Sequence, residues 1–162
     1  APRECATPCV MANRTTRYQA AVLRNTELLL LRYELDGAAR RDAAAMGRRT
    51  GWWMFPGGGR EEGESEEACV VRELREETHL EVRVERLLYD APTLTGPYRN
   101  RRCFRCSIVT GEPQPGHEPE AIGTITEVRW VDLHQEATWP PGLRQDDVAY
   151  EQIDRVREGL SG

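Results

Sequence analysis

The sequence has no apolar run that approaches the roughly 20 residues needed to cross a bilayer, even Leu28 to Leu31 falling far short. Its N-terminus shows no apolar signal-peptide core, so a soluble, cytoplasmic protein without a membrane partner is expected. Internal repeats and low-complexity segments are missing. No histidine stands at ligand spacing beside Cys5-x3-Cys9 or Cys103-x2-Cys106, which leaves a zinc site without its usual ligand set. Cys103 and Cys106 fall in an apparent strand, where an odd spacing sends side chains to opposite faces, so they and Cys69 read as buried free thiols. A dominant charge sign is lacking too. Acids and arginines are interspersed, 30% of residues are charged and the net charge is -5. Such a field does not attract a nucleic-acid duplex, whereas a nucleotide-sized ligand needs only a local basic patch.

What is present suits one domain, because 162 residues can bury a core without disulfides or structural metals. Residues 1–16 show no hydrophobic period and read as a flexible tail, followed by a single domain over 17–162. Tyr18, Ala20 and Val22 alternate, Asn25-Thr26 suits a turn, and Leu28 to Leu31 follows, which predicts a hairpin leading into a buried strand. From Asp36 to Gly51 the chain is rich in Gly, Ala and Arg. It reads as a surface loop, with a basic flap carrying Arg48 and Arg49 to phosphates as the alternative.

Trp52 to Phe55 predicts a strand stopped by Pro56-Gly57-Gly58-Gly59. Ser65 suits the N-cap of a helix reaching about Thr78, with Glu66 and Glu67 in its first turn and Ala68, Val71, Leu74 and Thr78 as its apolar stripe. Further strands are expected around Val82 to Tyr89, Arg102 to Thr110 and Glu127 to Val131. A last helix starts near Asp146 or Asp147, with Ala149, Ile153, Val156 and Leu160 on one face. This order gives an α+β, layered α/β/α domain with a mixed β-sheet between helices.

Glu73, Glu76 and Glu77 lie three and four residues apart, so on a helix their carboxylates share one face. Like charges at this spacing destabilise a helix by roughly 0.2–0.5 kcal/mol per pair. Arg72 and Arg75 offset this if the face is a solvated ion-pair lattice. A hard cation such as Mg²⁺ or Mn²⁺ offsets it if the face is a metal site. The glycine-rich turn and Glu64, which precede the helix, favour the metal site.

Gly58, Glu64 and Arg72-Glu73-Leu74-x-Glu76-Glu77-x-His79-Leu80 resemble the Nudix box, G-x5-E-x7-R-E-U-x-E-E-x-G-U, at every defined position except His79, which replaces glycine. Trp53 to Gly58 is similar to the strand and turn that enter the box, and Glu127 to Val131 to a later strand of that family. The family's glycine is a left-handed cap, and histidine enters that region at a cost of about 1 kcal/mol.

The resemblance implies a Nudix-like fold and a metal-dependent hydrolase that cuts the phosphoanhydride of a nucleoside diphosphate linked to another moiety. A nucleoside triphosphate pyrophosphatase and a non-catalytic nucleotide sensor are the alternatives. It implies Mg²⁺ or Mn²⁺ on Glu73 and Glu77, Glu76 sharing a second ion or a bridging water, and a carbonyl of Gly57 or Gly58. Arg72 then pairs with Glu64 and braces the acids. The general base is left among Glu118, Glu120 and Glu127, with Glu120 chosen because it lies in a Gly/Pro-rich loop. Arg48, Arg49, Arg99 and Tyr98 are the candidate substrate contacts, and Arg101 and Arg102 join Arg99 as phosphate contacts from the loop at the far side, with surface charge the equal alternative. Pro97 and Tyr98 fall at the spacing where subfamilies differ, so the substrate stays unnamed. The expected partner is a small nucleotide-type molecule, with a homodimer left open.

Overall fold

A computed structural model describes residues 15–93, 96–117 and 122–162. Cys5, Cys9, Glu118, Glu120 and residues 1–14 of the expected tail lie outside them. β1 (Thr16–Arg24) and β2 (Glu27–Leu35) form the expected hairpin, with Asn25 at φ 55° in its turn. The two strands part at once, since only Leu23 and Arg24 pair with β2. Over Thr16 to Val22, β1 instead runs parallel to β6 (Asn100–Thr110). Its other edge meets the two-residue β4 (Gly57–Gly58), with Gln19 opposite Gly57. β2 continues between β3 (Gly51–Met54) and β7 (Gly123–Asp132), and β5 (Glu81–Pro92) borders β6. One parallel pairing among antiparallel ones makes the seven-stranded sheet mixed.

The period of two sorts side chains to the two faces. Tyr18, Ala20, Val22, Phe104 and Cys106 pack with Val70 and Leu74 of α2 (Glu66–Thr78). Ala21 and Cys103 pack with Ile153 and Val156 of α3 (Asp147–Ser161). Cys103 and Cys106 therefore sit on opposite faces as free buried thiols, and burial raises the Cys103 pKa to about 12. No helix among the described residues is long and apolar enough to cross a membrane.

Residues 37–45 correct the loop reading in part, while 46–50 stay outside helix and strand. Gly37–Ala45 is a helix, α1, whose Ala43 is buried against Leu31, Tyr33 and Ile125. Alanine has the highest helix propensity, and its small side chain lets this short helix lie close on β2.

α2 has the expected limits, with Ser65 Oγ accepting from Ala68 N at 3.1 Å. Its buried face is rotated from the expected stripe. Cys69, Val70, Glu73, Leu74, Glu77 and Thr78 are buried, Ala68 is exposed and Val71 half-buried. The glycine turn of β4 covers this face, and a Cβ at Gly58 would overlap the Glu73 carboxylate.

His79 ends α2 at φ 61°, ψ 17°, its N–H donating to Arg75 O at 3.1 Å. Because only the backbone uses this conformation, His79→Gly is expected to leave stability level or raise it by up to about 1 kcal/mol in urea unfolding. A loss of activity at unchanged stability would reveal a site role for the imidazole.

Candidate active site

Arg72 is the hub of the carboxylate helix. Its Nε donates to Glu64 Oε2 at 2.7 Å and its Nη2 to Glu64 Oε1 at 3.0 Å, a bidentate pair. Nη1 donates to Glu73 Oε1 at 2.9 Å and to Glu76 Oε2 at 3.4 Å, and Nη2 also reaches Gly59 O at 3.1 Å. The paired guanidinium holds the Glu64 carboxyl below its ordinary pKa. Arg75 turns away to an exposed pair with Glu81.

Glu73 and Glu77 are the anomaly. They are only 6% and 1% exposed and lie on the face of α2 that packs into the protein. Glu77 Oε1 accepts from Gly57 N at 2.9 Å. Glu73 Oε2 is buried and accepts no hydrogen bond. Burial raises the Glu73 carboxyl above its ordinary range, against the pull of Arg72 and Arg17. While both acids are ionised neither has a proton to share, so burying them side by side is costly unless positive charge joins them.

This oxygen-only donor set fits a hard divalent cation. Among the described residues no three His, Cys, Asp or Glu side chains converge closely enough to chelate a metal as they stand. Glu76 is half-exposed and drawn to Arg72. At the glycine turn, the Gly57 N–H faces Glu77, while Gly58 O faces Cys69 Sγ at 3.8 Å. Burial pushes that thiol up to about 12, so it stays protonated.

The C-terminal end of α2 is strapped by the segment after β6. Gln114 N, Gly116 N and His117 N donate to Thr78 O, Glu77 O and Glu76 O at 3.0, 2.8 and 2.9 Å. These carbonyls belong to the last turn of the helix, where partners must come from outside it. A Cβ at Gly116 would overlap the Glu76 carbonyl.

A cavity of about 450 Å³ lies between β1, β3, β6 and the start of α3, and Arg17 on its wall is near enough to draw on the Glu73 carboxyl. Arg49 and Tyr98 line it, whereas Arg48 and Arg99 are exposed and absent from its wall. Of the aromatic side chains on strands, Trp52 and Trp53 line it and Phe104 is core, as is Trp139, which follows a 3-10 turn. Glu127 is engaged by Arg129 at 2.7 Å. Glu120 lies outside the described residues.

The sequence reading missed Arg17, Gln19, Asp146 and Gln152 on this wall. Gln19 Nε2 donates to Tyr89 Oη at 2.7 Å and to Gln152 Oε1 at 3.0 Å. Arg17 Nη2 donates to Phe55 O at 3.0 Å. Arg17 and Gln19 are polar alternates on a strand whose other face is apolar, a pattern that ordinarily marks a solvated face, so the sequence offered no signal for the cavity.

Solved structures share this fold at low identity. A UDP-X diphosphatase is 22% identical with TM-score 0.62, covering 93% of this chain and 64% of its own. The chain thus spans just under two thirds of that protein. An ADP-ribose pyrophosphatase from Streptococcus suis is 20% identical with TM-score 0.59, covering 91% and 90%. A Nudix hydrolase from Nitrosomonas europaea is 18% identical with TM-score 0.63, covering 90% and 89%. No curated protein sequence matches. The family model described as NUDIX domain matches residues 15–151. With the box residues gathered around Arg72 on α2, that match identifies the chain as a member of the Nudix hydrolase family.

Proposed function

We propose that this chain hydrolyses the phosphoanhydride of a nucleoside diphosphate linked to another moiety. The observation that carries the reading is the pair of buried carboxylates, Glu73 with an oxygen accepting no hydrogen bond, on which Arg17 of the cavity wall acts. Glu73 and Glu77 would hold Mg²⁺ or Mn²⁺, with Glu76 and the Gly57–Gly58 turn nearest to them. When bound, the cation neutralises diphosphate charge and activates water.

The chain's own groups do the rest. Glu64 and Arg72 fix the acids, the Gly57 N–H orients Glu77, and Arg17, on the cavity wall, is close enough to draw on the Glu73 carboxyl. Glu120 is the proposed general base on the sequence argument alone. Arg49 and Tyr98 contact substrate from the cavity wall, with Arg48 and Arg99 farther out.

A panel of nucleoside diphosphate compounds with Mg²⁺ or Mn²⁺, scored for release of nucleoside monophosphate, tests this. Turnover confined to nucleoside triphosphates with release of pyrophosphate would replace the reading by the triphosphate one. Tight binding without turnover of any member would make the domain a sensor.

A further inference from the structure

We propose that Gln152 is a specificity-determining residue, whose one uncommitted amide hydrogen donates to an acceptor on the edge of a nucleobase held in the cavity. This rests on the hydrolase reading above, which supplies the nucleoside. The volume of about 450 Å³ suits such a group, and Trp52, Trp53 and Tyr98 give the wall flat apolar faces.

Two primary amides, those of Gln19 and Gln152, stand among these rings. They are 1% and 6% exposed, and a buried amide is costly unless it is hydrogen-bonded. Their orientations follow from their partners. Val148 O can only accept, so the Gln152 atom 3.1 Å from it is the nitrogen. Gln152 Oε1 then needs a donor, which is Gln19 Nε2 at 3.0 Å. The second hydrogen of Gln19 Nε2 goes to Tyr89 Oη at 2.7 Å. Because Tyr89 Oη accepts there, its own hydrogen turns to the Cys103 sulfur. The Cys103 thiol also bonds Gln19, whose nitrogen has no hydrogen to spare, so the thiol donates to Oε1 of that amide.

Every hydrogen of this network is thus committed except the second one on Gln152 Nε2, which meets no acceptor among the described residues. Turning the Gln152 amide over would set its oxygen against Val148 O and its nitrogen against the Gln19 N–H. The donor is therefore held in one sense. Gln19 offers the cavity no hydrogen of its own and is the positioning residue that locks Gln152 in place. Since Gln152 lines the cavity, whatever fills the cavity supplies the missing acceptor. A sugar hydroxyl rotates to donate or accept as needed, whereas a ring nitrogen or carbonyl of a base has a fixed sense that a locked donor can read.

The test is calorimetric titration in EDTA, where turnover does not interfere, starting with the 5′-diphosphates of adenosine, guanosine, cytidine and uridine. The tightest is then compared with analogues in which each ring nitrogen or carbonyl acceptor of its base is replaced in turn by C–H. One replacement should weaken Kd about tenfold, the cost of leaving a buried donor unpaired, and the 2′- and 3′-deoxy compounds should not share the loss. In Gln152→Met the penalty of that replacement should vanish, as in a double-mutant cycle. In Gln19→Met it should shrink although Gln152 is intact, a result that a merely structural role would not give once melts show folded protein. Should either variant fail to fold, the analogue series on the unaltered chain still decides. No binding by any of the diphosphates, no replacement costing more than about twofold, a loss that follows the sugar hydroxyls, or one that survives Gln152→Met overturns the proposal. Hydrolysis of the Mg²⁺ panel without this discrimination sinks only the Gln152 assignment, whereas discrimination without hydrolysis sinks only the enzyme reading.

Discussion

Glu77→Gln is expected to lower kcat roughly a hundredfold or more, since groups that merely orient metal ligands already cost 10–100-fold when lost and Glu77 is proposed as a ligand itself. The substitution keeps volume and the carbonyl oxygen that accepts from Gly57 N, so the turn and helix stay in register. It also removes one of two neighbouring buried charges. The thermal midpoint of the metal-free protein should therefore hold or rise. Mg²⁺ raises the midpoint of any protein that binds it only when folded. That rise should shrink or vanish in the variant. A variant that keeps full Mg²⁺-dependent turnover would sink the ligand assignment, and one that loses activity by unfolding would fail the melt.

Arg72→Ala should act through the fold. The guanidinium satisfies Glu64, Glu73, Glu76 and Gly59 O, and its removal leaves buried carboxylates without their positive partner. Breaking one side of such a network costs about 3–5 kcal/mol, which for a chain of this size lowers the midpoint by roughly 10 °C. Arg72→Lys should rescue little of it, because an ammonium cannot reproduce the bidentate fork on Glu64. The penalty is also pH-dependent. Glu64 has a folded pKa below its ordinary 4.5, so its pairing stabilises fully above that value and fades as pH falls through the folded pKa. Urea unfolding of both proteins between pH 7 and pH 4 should show the gap widest at neutral pH and narrowing at the acid end. A gap that stays constant or widens towards acid would put the stability elsewhere.

Much of this was readable from residue order. Ser65 and Thr78 bound the helix because capping is local chemistry, and Asn25 marked the hairpin for the same reason. The opposite faces of Cys103 and Cys106 followed from strand period alone. The rotation of α2 did not. Apolarity picked Ala68 and Val71 for the core, but the tertiary contact with the glycine turn chose Glu73 and Glu77, and no local rule buries two acids. The helix at Gly37–Ala45 was hidden by its glycine and arginine content, although its alanines carry enough propensity once β2 offers a surface. Arg17 and Asp146, 129 positions apart in the sequence, meet on one wall only because β1 inserts beside β6 and α3 starts above them.

The strap on α2 has a further consequence for anyone altering the chain. Connections between elements ordinarily accept insertions at little thermodynamic cost, and the stretch after β6, with its prolines and glycines, resembles an ideal graft site. Its amides at Gln114, Gly116 and His117 are spoken for by three successive carbonyls of the helix that holds the acids. One residue added between Gln114 and His117 would break the match of those amides to successive carbonyls, and the last turn of α2 would lose part of its closure. Tags, circular permutation points and inserted domains belong instead at the β1–β2 turn beside Asn25, where Thr26 is held by Asp132 and Leu133 rather than by the helix that bears the acids.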